Sequence, residues 1–463
     1  MSTAQNIERK PIYANTGYGP NFAVLEIGLP DRVAVVEPDT AFWVLVHRDE
    51  LGQALAGELV ESFNRSAEDF RAEMRNLRFG LKPSAAYFNP TEQCNFNCSY
   101  CYLPEEMRRS GKTMTTEELC GALERLKQYF VETLPEGARP QLIFHGSEPM
   151  LAKEAVFAGI ERFGEDFAFG LQTNASLLDD ESIAFLRDHR VGIGISLDAP
   201  TAEIADQTRK NWGGTGYFDH VVKVMDKLSS YEGFNVITTV TSVNVKTLPA
   251  MVDFYHEHGV RTVMFNPVRC TQKGGMDIKP DNAEMSKYFL EALDRTYEHF
   301  EKTGRKMVVA NFANVLAGVV GPTGRRLMCD ISPCGGGRCF VAVSTHGDVF
   351  PCSEFIGFPE YKGGNLYTDS IADILGAKPF LEITTRKAED FKPCSDCAIR
   401  HFCGAPCPAE VKVVSGTVNA PSPYCEFYEE QVRYAFRVIA QGREEAYLWD
   451  GWQEETEESF KLV

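Results

Sequence analysis

The chain has 463 residues, 44% of them hydrophobic and 24% charged, which is long for one core and ordinary for a globular protein. A net charge of −18, with only short basic runs such as Arg325-Arg326, excludes a general nucleic-acid-binding surface. The start, MSTAQNIERKPIYANTG, lacks the apolar core of a secretion signal, and no membrane-length apolar run follows, so a cytoplasmic chain without a membrane partner is expected. Fourteen cysteines in that compartment predict metal ligands rather than a disulfide framework.

In chain order, residues 1–20 are polar, with Pro11, Gly17, Gly19 and Pro20, and read as an irregular arm. Apolar runs AVLEIGL, VAVVEP and AFWVLV between Phe22 and Val46 are broken at Pro30-Asp31 and Pro38-Asp39 and predict strands. Residues 50–78 predict two helical pieces separated by Asn64-Arg65-Ser66, with Ser66 as N-cap of the second and Asp69 three positions on. Together they predict a small α+β unit over residues 1–84.

Strands are expected to begin near Ala85, Gln141, Phe167, Val191, Asn235 and Arg261, alternating with amphipathic helices. The first such helix carries Leu119, Leu123, Leu126 and Phe130 at helical spacing behind a Thr115/Glu118 capping box. Six alternations predict parallel β/α units over 85–310, as an open sheet or a partial (β/α)6 TIM-like barrel, with ligands at the carboxyl ends of the strands. A connecting helix is predicted over about Ala283 to Lys302. Nine of the fourteen cysteines lie between Cys329 and Cys425, marking a second, cysteine-rich domain over 311–445. A helix from Glu426 carries Val432, Phe436 and Ile439 on one side, and an acidic tail (446–463) closes the chain.

The stretch Cys94-Asn-Phe-Asn-Cys98-Ser-Tyr-Cys101 follows the first of the six strands. Three thiolates are one short of a closed zinc site or a fully ligated iron–sulfur cube, so one iron of a cube held here stays open. A zinc knuckle with its fourth ligand elsewhere is the alternative. With Tyr100 before the last cysteine, the motif resembles the cluster loop of the radical S-adenosylmethionine (SAM) superfamily. The resemblance implies a [4Fe–4S] cluster on Cys94, Cys98 and Cys101 whose open iron binds SAM, and a 5′-deoxyadenosyl radical released by one-electron reduction. It extends to Gly146-Ser147-Glu148-Pro149, where the family usually has Gly-Gly-Glu-Pro, and to Asn174 in Gln172-Thr173-Asn174. It continues with Ser196 and Asp198 in Ser196-Leu197-Asp198, and with Arg209. These positions, with Tyr100, are implied to line the cofactor, Glu148 by accepting from its ammonium group and Arg209 by pairing its carboxylate.

The later spacing, Cys334-x4-Cys339-x12-Cys352 and then Cys394-x2-Cys397-x5-Cys403-x3-Cys407-x17-Cys425, has Gly347 at a hairpin turn. It resembles the SPASM domain of radical enzymes that modify peptides and proteins. Carried over by position, Cys334, Cys339, Cys352 and Cys407 hold one further [4Fe–4S] cluster and Cys394, Cys397, Cys403 and Cys425 another, making three cubes. Two zinc ribbons need the same thiolate count. Cys120, Cys270 and Cys329 remain outside this set, and unreactive thiols are the plainer identity of each. The N-terminal element order resembles the winged-helix-like peptide-recognition domain fused to maturases of ribosomally made peptides. The alternative is an extension packed on the barrel.

Sulfatase maturases carry an aspartate base directly after the cysteine matching Cys352. Here Ser353 stands there and Glu354 follows. The resemblance therefore implies a maturase acting on a ribosomally made precursor peptide, by cross-linking, epimerisation or oxidation, with flavodoxin or ferredoxin as reductant. Sulfatase maturation and a non-catalytic metal-binding scaffold are the alternatives. Glu354, Asp330 and Asp348 are base candidates by position.

Overall fold

The structure, a computed structural model, describes residues 12–14, 21–321, 328–403 and 407–452; the acidic stretch Glu454 to Glu458, Arg325-Arg326 and most of the expected N-terminal arm lie outside them. Strands β1 (Ile12–Ala14), β2 (Phe22–Glu26), β3 (Arg32–Glu37) and β4 (Phe42–His47) pair antiparallel in that order. Part of the expected irregular arm is thus a strand, because Ile12–Ala14 finds a partner in β2.

Strand alternation gives this sheet two apolar faces. Phe22, Val33, Val35 and Val46 face one way and pack against Leu59, Phe63 and Ala67 of the helix Glu58–Arg75. Truncating a core phenylalanine such as Phe63 to alanine costs about 3–5 kcal/mol. Ala23, Leu25, Ala34 and Val36 face the other way and join the main core. There Trp43 meets Phe436 edge-on at 5.4 Å and donates its indole N–H to the Val319 carbonyl at 2.8 Å. The sheet is clamped to the helix Cys425–Ala440, where Arg433 and Arg437 donate to the carbonyls of Glu26 and Ile27 at 2.5 and 2.8 Å. The helix break expected at Asn64-Arg65-Ser66 falls instead at Gly57, between Leu51–Ala56 and Glu58–Arg75. Phe63 and Ala67 both reach the sheet only if the turn between them stays helical, so Ser66 caps nothing.

The second sheet contains β5 (Ala85–Phe88), β6 (Gln141–Phe144), β7 (Ala168–Thr173), β8 (Gly192–Ser196), β9 (Phe234–Val240), β10 (Thr262–Pro267) and the short β11 (Val308–Val309). Each pairs parallel with the next in sequence, without reversal. Right-handed crossovers repeated in one direction put every helix on one face and curl the sheet, so the architecture is a partial barrel rather than a doubly wound open sheet. The Thr115/Glu118 capping box is present on the helix Thr116–Thr133. The connecting helix runs Asn282–Thr303, from an Asp281 cap to left-handed Gly304.

Beyond β5 the sheet continues into the cysteine-rich region. Strand β12 (Phe340–Val343) pairs parallel with β5, followed by antiparallel β13 (Asp348–Phe350) and β14 (Gly364–Asn365). Gly347 makes the β12–β13 turn at φ +79°, and a Cβ there would lie 2.4 Å from the Tyr367 ring. A satellite core of Leu103, Phe350, Phe355, Ile356, Tyr361 and Ile383 joins the segment after Cys101 to the region around Cys352. Among the described residues, no helix is long and apolar enough to cross a membrane.

Candidate functional site

The three-cysteine loop leaves β5 at the carboxyl end of the barrel strands and is held by main-chain bonds to distant segments. The N–H groups of Cys94, Asn97 and Ser99 donate to the carbonyls of Arg108, Lys210 and Thr208 at 3.0, 2.7 and 3.0 Å. Trp212 donates its indole N–H to the Cys94 carbonyl at 2.7 Å, under the guanidinium of Arg109 4.5 Å from its ring. Trp212 and Arg108, which the sequence left unremarked, are therefore part of the loop's frame. Burial pushes the thiols of Cys94 and Cys101 up to about 12 and 11, and raises Cys98 as well. All three residues are partly buried. Three soft donors on one loop, each interacting electrostatically with another, fit an iron–sulfur cube, and bound iron would reverse their proton affinity.

Gly146 follows β6 at φ +105°, where a Cβ would meet the Asn89 amide at 2.3 Å. Ser147, in place of a second glycine, spends its hydroxyl on the Glu92 carbonyl at 2.6 Å. Glu148 is completely buried, and burial raises its pKa. Its carboxylate already accepts from Met150 N–H at 3.1 Å, the Thr173 hydroxyl at 2.7 Å and Asn174 N–H at 2.8 Å. Of roughly four lone-pair sites, about one is left for a ligand ammonium. Asn174 donates to the Asn95 side chain at 2.9 Å, with Cys94 Sγ at 4.0 Å, which ties the β7 end to the cluster loop.

Tyr100, Asp198 and Arg209 form one buried unit. Tyr100 donates its hydroxyl to Asp198, Arg209 donates to the Tyr100 oxygen at 2.5 Å, and the Arg209–Asp198 separation is 3.7 Å. Burial raises Asp198 while Arg209 opposes the rise, and Thr239 N–H donates to it at 2.9 Å. Ser196 ends β8, half-buried. The motif residues after four successive strands thus converge on the three thiols, in two bonded groups, one around Glu148 and one around Asp198.

The thiols of the cysteine-rich region fall into two sets. Cys352 lies within electrostatic range of Cys407, Cys334 and Cys329, and Cys329 within range of Cys334 and Cys407. Cys339 faces Arg338 and Cys334, and its carbonyl accepts from Ser84 N–H at 2.9 Å as part of the sheet. The electrostatics thus group Cys329 with Cys334, Cys352 and Cys407, while Cys339, which the resemblance assigns to that set, interacts with Cys334. Gly336 N–H donates to Cys334 Sγ at 3.3 Å, and the Cys352 Cβ lies 3.6 Å from where a Gly336 Cβ would stand. Cys394, Cys397 and Cys425 repel one another electrostatically as a second set, and Cys403 ends the turn from Ile399.

Glu354 sits between the two ends of this assembly, its charge felt by Cys101 and Tyr102 on one side and by Cys352 and Cys407 on the other. Burial pushes it up to about 7 against the pull of Arg269, and its Oε2 has no hydrogen-bond partner. Asp330 accepts from Asn314 at 2.7 Å beside Cys329. Asp348 is committed to Lys362 at 2.6 Å and Asn365 at 2.8 Å, away from the thiols.

Comparison with known proteins agrees with this geometry. Residues 88–256 match the radical SAM superfamily, and residues 334–398 match SPASM, an iron–sulfur cluster-binding domain. An Archaeoglobus fulgidus protein without an assigned function is 40% identical over 88% of this chain and 92% of its own. A serine-type anaerobic sulfatase-maturating enzyme of Bacteroides thetaiotaomicron is 24% identical over 68% of this chain and 80% of its own. Among solved structures, anSMEcpe with bound AdoMet superposes with a TM-score of 0.70 at 22% identity, covering 81% of this chain and 98% of its own. Streptococcus suis SuiB bound to precursor peptide SuiA superposes at 0.57 and 12% identity, covering 90% of this chain and all of its own. This chain belongs to the radical SAM superfamily, carries a SPASM iron–sulfur domain, and is built to bind iron–sulfur clusters and SAM.

Proposed function

We propose that the protein is a peptide maturase that modifies a residue of a ribosomally made precursor peptide held between the three-cysteine loop and the SPASM thiols. The observation that carries this reading is the position of Glu354, an unpartnered carboxyl between Cys101 and Cys352. Ser353, where the resemblance places the aspartate of sulfatase maturases, is buried and cannot act as a base. The SuiB superposition also supports it, because it spans 90% of this chain and SuiB is bound there to a precursor peptide. The same reading divides the chain into an N-terminal unit (1–84), the barrel (85–310), the SPASM region (311–445) and a tail (446–463).

When bound, a cluster on Cys94, Cys98 and Cys101 with SAM supplies a 5′-deoxyadenosyl radical for hydrogen abstraction. The chain's own residues do the rest. Glu148 offers its remaining lone pair to the SAM ammonium, Asn174 and Gly146 border it, and Arg209 pairs with its carboxylate, steadied by Asp198 and Tyr100. Ser196 and Ser147 complete that wall. Glu354 receives the proton that substrate gives up, with Asp330 farther back as the alternative base. Cys334, Cys352 and Cys407, with Cys329 in place of Cys339, would hold one auxiliary cube, and Cys394, Cys397, Cys403 and Cys425 would hold the other. A flavodoxin or ferredoxin delivers the electron.

The test is anaerobic reconstitution followed by reaction with the peptide encoded beside the gene. Three cubes predict about eleven to twelve irons per chain. Glu354→Gln should leave SAM cleavage intact and lower peptide product at least about 100-fold. An unmodified precursor alongside formylglycine in a sulfatase peptide would replace this reading with sulfatase maturation. Zinc in place of iron would leave only a scaffold.

A further inference from the structure

The outer thiol set, Cys394, Cys397, Cys403 and Cys425, lies on two segments, and the N-terminal unit grips both. Cys425 begins the helix Cys425–Ala440, whose Arg433 and Arg437 donate to the carbonyls of Glu26 and Ile27. Arg32 of β3 returns the contact by donating to the Ala440 carbonyl at 3.0 Å. Ahead of Cys394, Glu389 takes a two-pronged ion pair from Arg78 at 2.8 and 2.9 Å. Phe402, next to Cys403, meets Phe436 edge-on at 5.6 Å, and Trp43 of β4 packs against that same Phe436 ring.

A further grip falls between two of the thiols. Arg400, midway between Cys397 and Cys403, is 8% exposed and donates through Nη1 to the Cys397 carbonyl at 3.1 Å. Its other terminal nitrogen donates to Asp39, 361 residues away in the turn between β3 and β4. Asp396, on the same loop as Arg400, is engaged by Lys392 at 2.5 Å. A buried guanidinium needs a charge partner, and here the partner comes from a distant part of the chain. The turn that presents Asp39 is itself fixed, because the buried Glu37 accepts from the Thr40 N–H and hydroxyl at 2.9 and 2.6 Å. The Asp39 side chain stays 69% exposed, so it bears on the loop without belonging to a core.

An outer-shell bond to a ligand residue fixes how that residue is presented, and an ion pair there sets the net charge beside the cluster. We propose that Asp39 and Arg400 form a positioning pair for the outer auxiliary cluster, through which the N-terminal unit holds the 394–403 loop in the shape that retains iron and sets the cluster's potential. Neither residue ligates iron. This rests on the assignment of the outer cube made above.

Wild type, Asp39→Ala and Asp39→Glu are reconstituted as full-length holoenzyme and their iron is counted. The clusters are followed by electron paramagnetic resonance during potentiometric titration, and iron release is timed against a ferrous chelator. Asp39→Ala should release outer-cluster iron about tenfold faster, the lower end for an outer-shell partner because Asp39 is largely exposed. It should also move the outer potential positive, since Arg400 is left uncompensated beside a cluster that grows more negative on reduction. Asp39→Glu should restore most of both effects, and the other two clusters should keep their potentials. Wild-type values in Asp39→Ala would overturn the proposal. So would faster release without a potential shift, which a purely structural contact produces. If Asp39→Ala loads no outer cluster, full loading in Asp39→Glu supports the pair and failure there overturns it. A wild type with no outer-cluster signal overturns the cube assignment itself, a failure distinct from these.

Discussion

The barrel-end site and the SPASM region both gather buried sulfur and buried charge, but they balance it in opposite ways. Around Cys94 the chain supplies its own partners. Glu148 and Asp198 each accept from N–H and O–H donors, Arg209 has a carboxylate, and the loop is pinned by main-chain bonds to residues 208 and 210. Around Cys334 the regular structure is a short hairpin, short helices and 3-10 turns, and Arg338 donates to the main-chain carbonyls of Cys334 and Arg78 while the ionisable groups that face it are thiols and arginines. The first arrangement holds its shape from the chain alone. The second is expected to be completed by its clusters, so that metal binding there is part of folding.

Iron removal should break this comparison most visibly. Anaerobic chelation is expected to strip hydrogen-exchange protection from residues 329–425 while strands β5 to β10 keep theirs. Equal loss in both regions would mean that the barrel end is no more self-supporting than the SPASM region. Asp198→Ala attacks the barrel end directly by leaving Arg209 and Tyr100 buried without their carboxylate, a cost of about 3–5 kcal/mol. Denaturant titration of the barrel phase measures it, and a cost below about 1 kcal/mol would show that the Tyr100–Asp198–Arg209 unit is not what holds the site. Gly146→Ala sharpens the comparison with the smallest expected effect, about 1–3 kcal/mol from its positive φ and the clash with Asn89. The same substitution in an Asn89→Ala background should recover the clash and leave the backbone strain. An equal cost in both backgrounds would assign the whole effect to φ.

The six barrel strands begin within one residue of where alternation and helical spacing put them, because those signals are local and their amphipathic faces agree with the fold. Ser66 misled because N-cap chemistry was visible locally while the Phe63–Ala67 contact with the sheet was not. Arg338 and Arg400 read as ordinary charged residues until burial is known.

What the amino-acid sequence determined by itself was the chemistry: three thiols with a vacancy, the polar motifs at strand ends, and a second reservoir of sulfur. Each is a pattern of a few neighbouring residues whose meaning does not depend on long-range contacts. Only the tertiary structure decided that Glu354 is buried within reach of both thiol regions, and that the N-terminal sheet is covered on both faces. Those outcomes turn on segments hundreds of residues apart, and on the cost of leaving a buried charge without a partner.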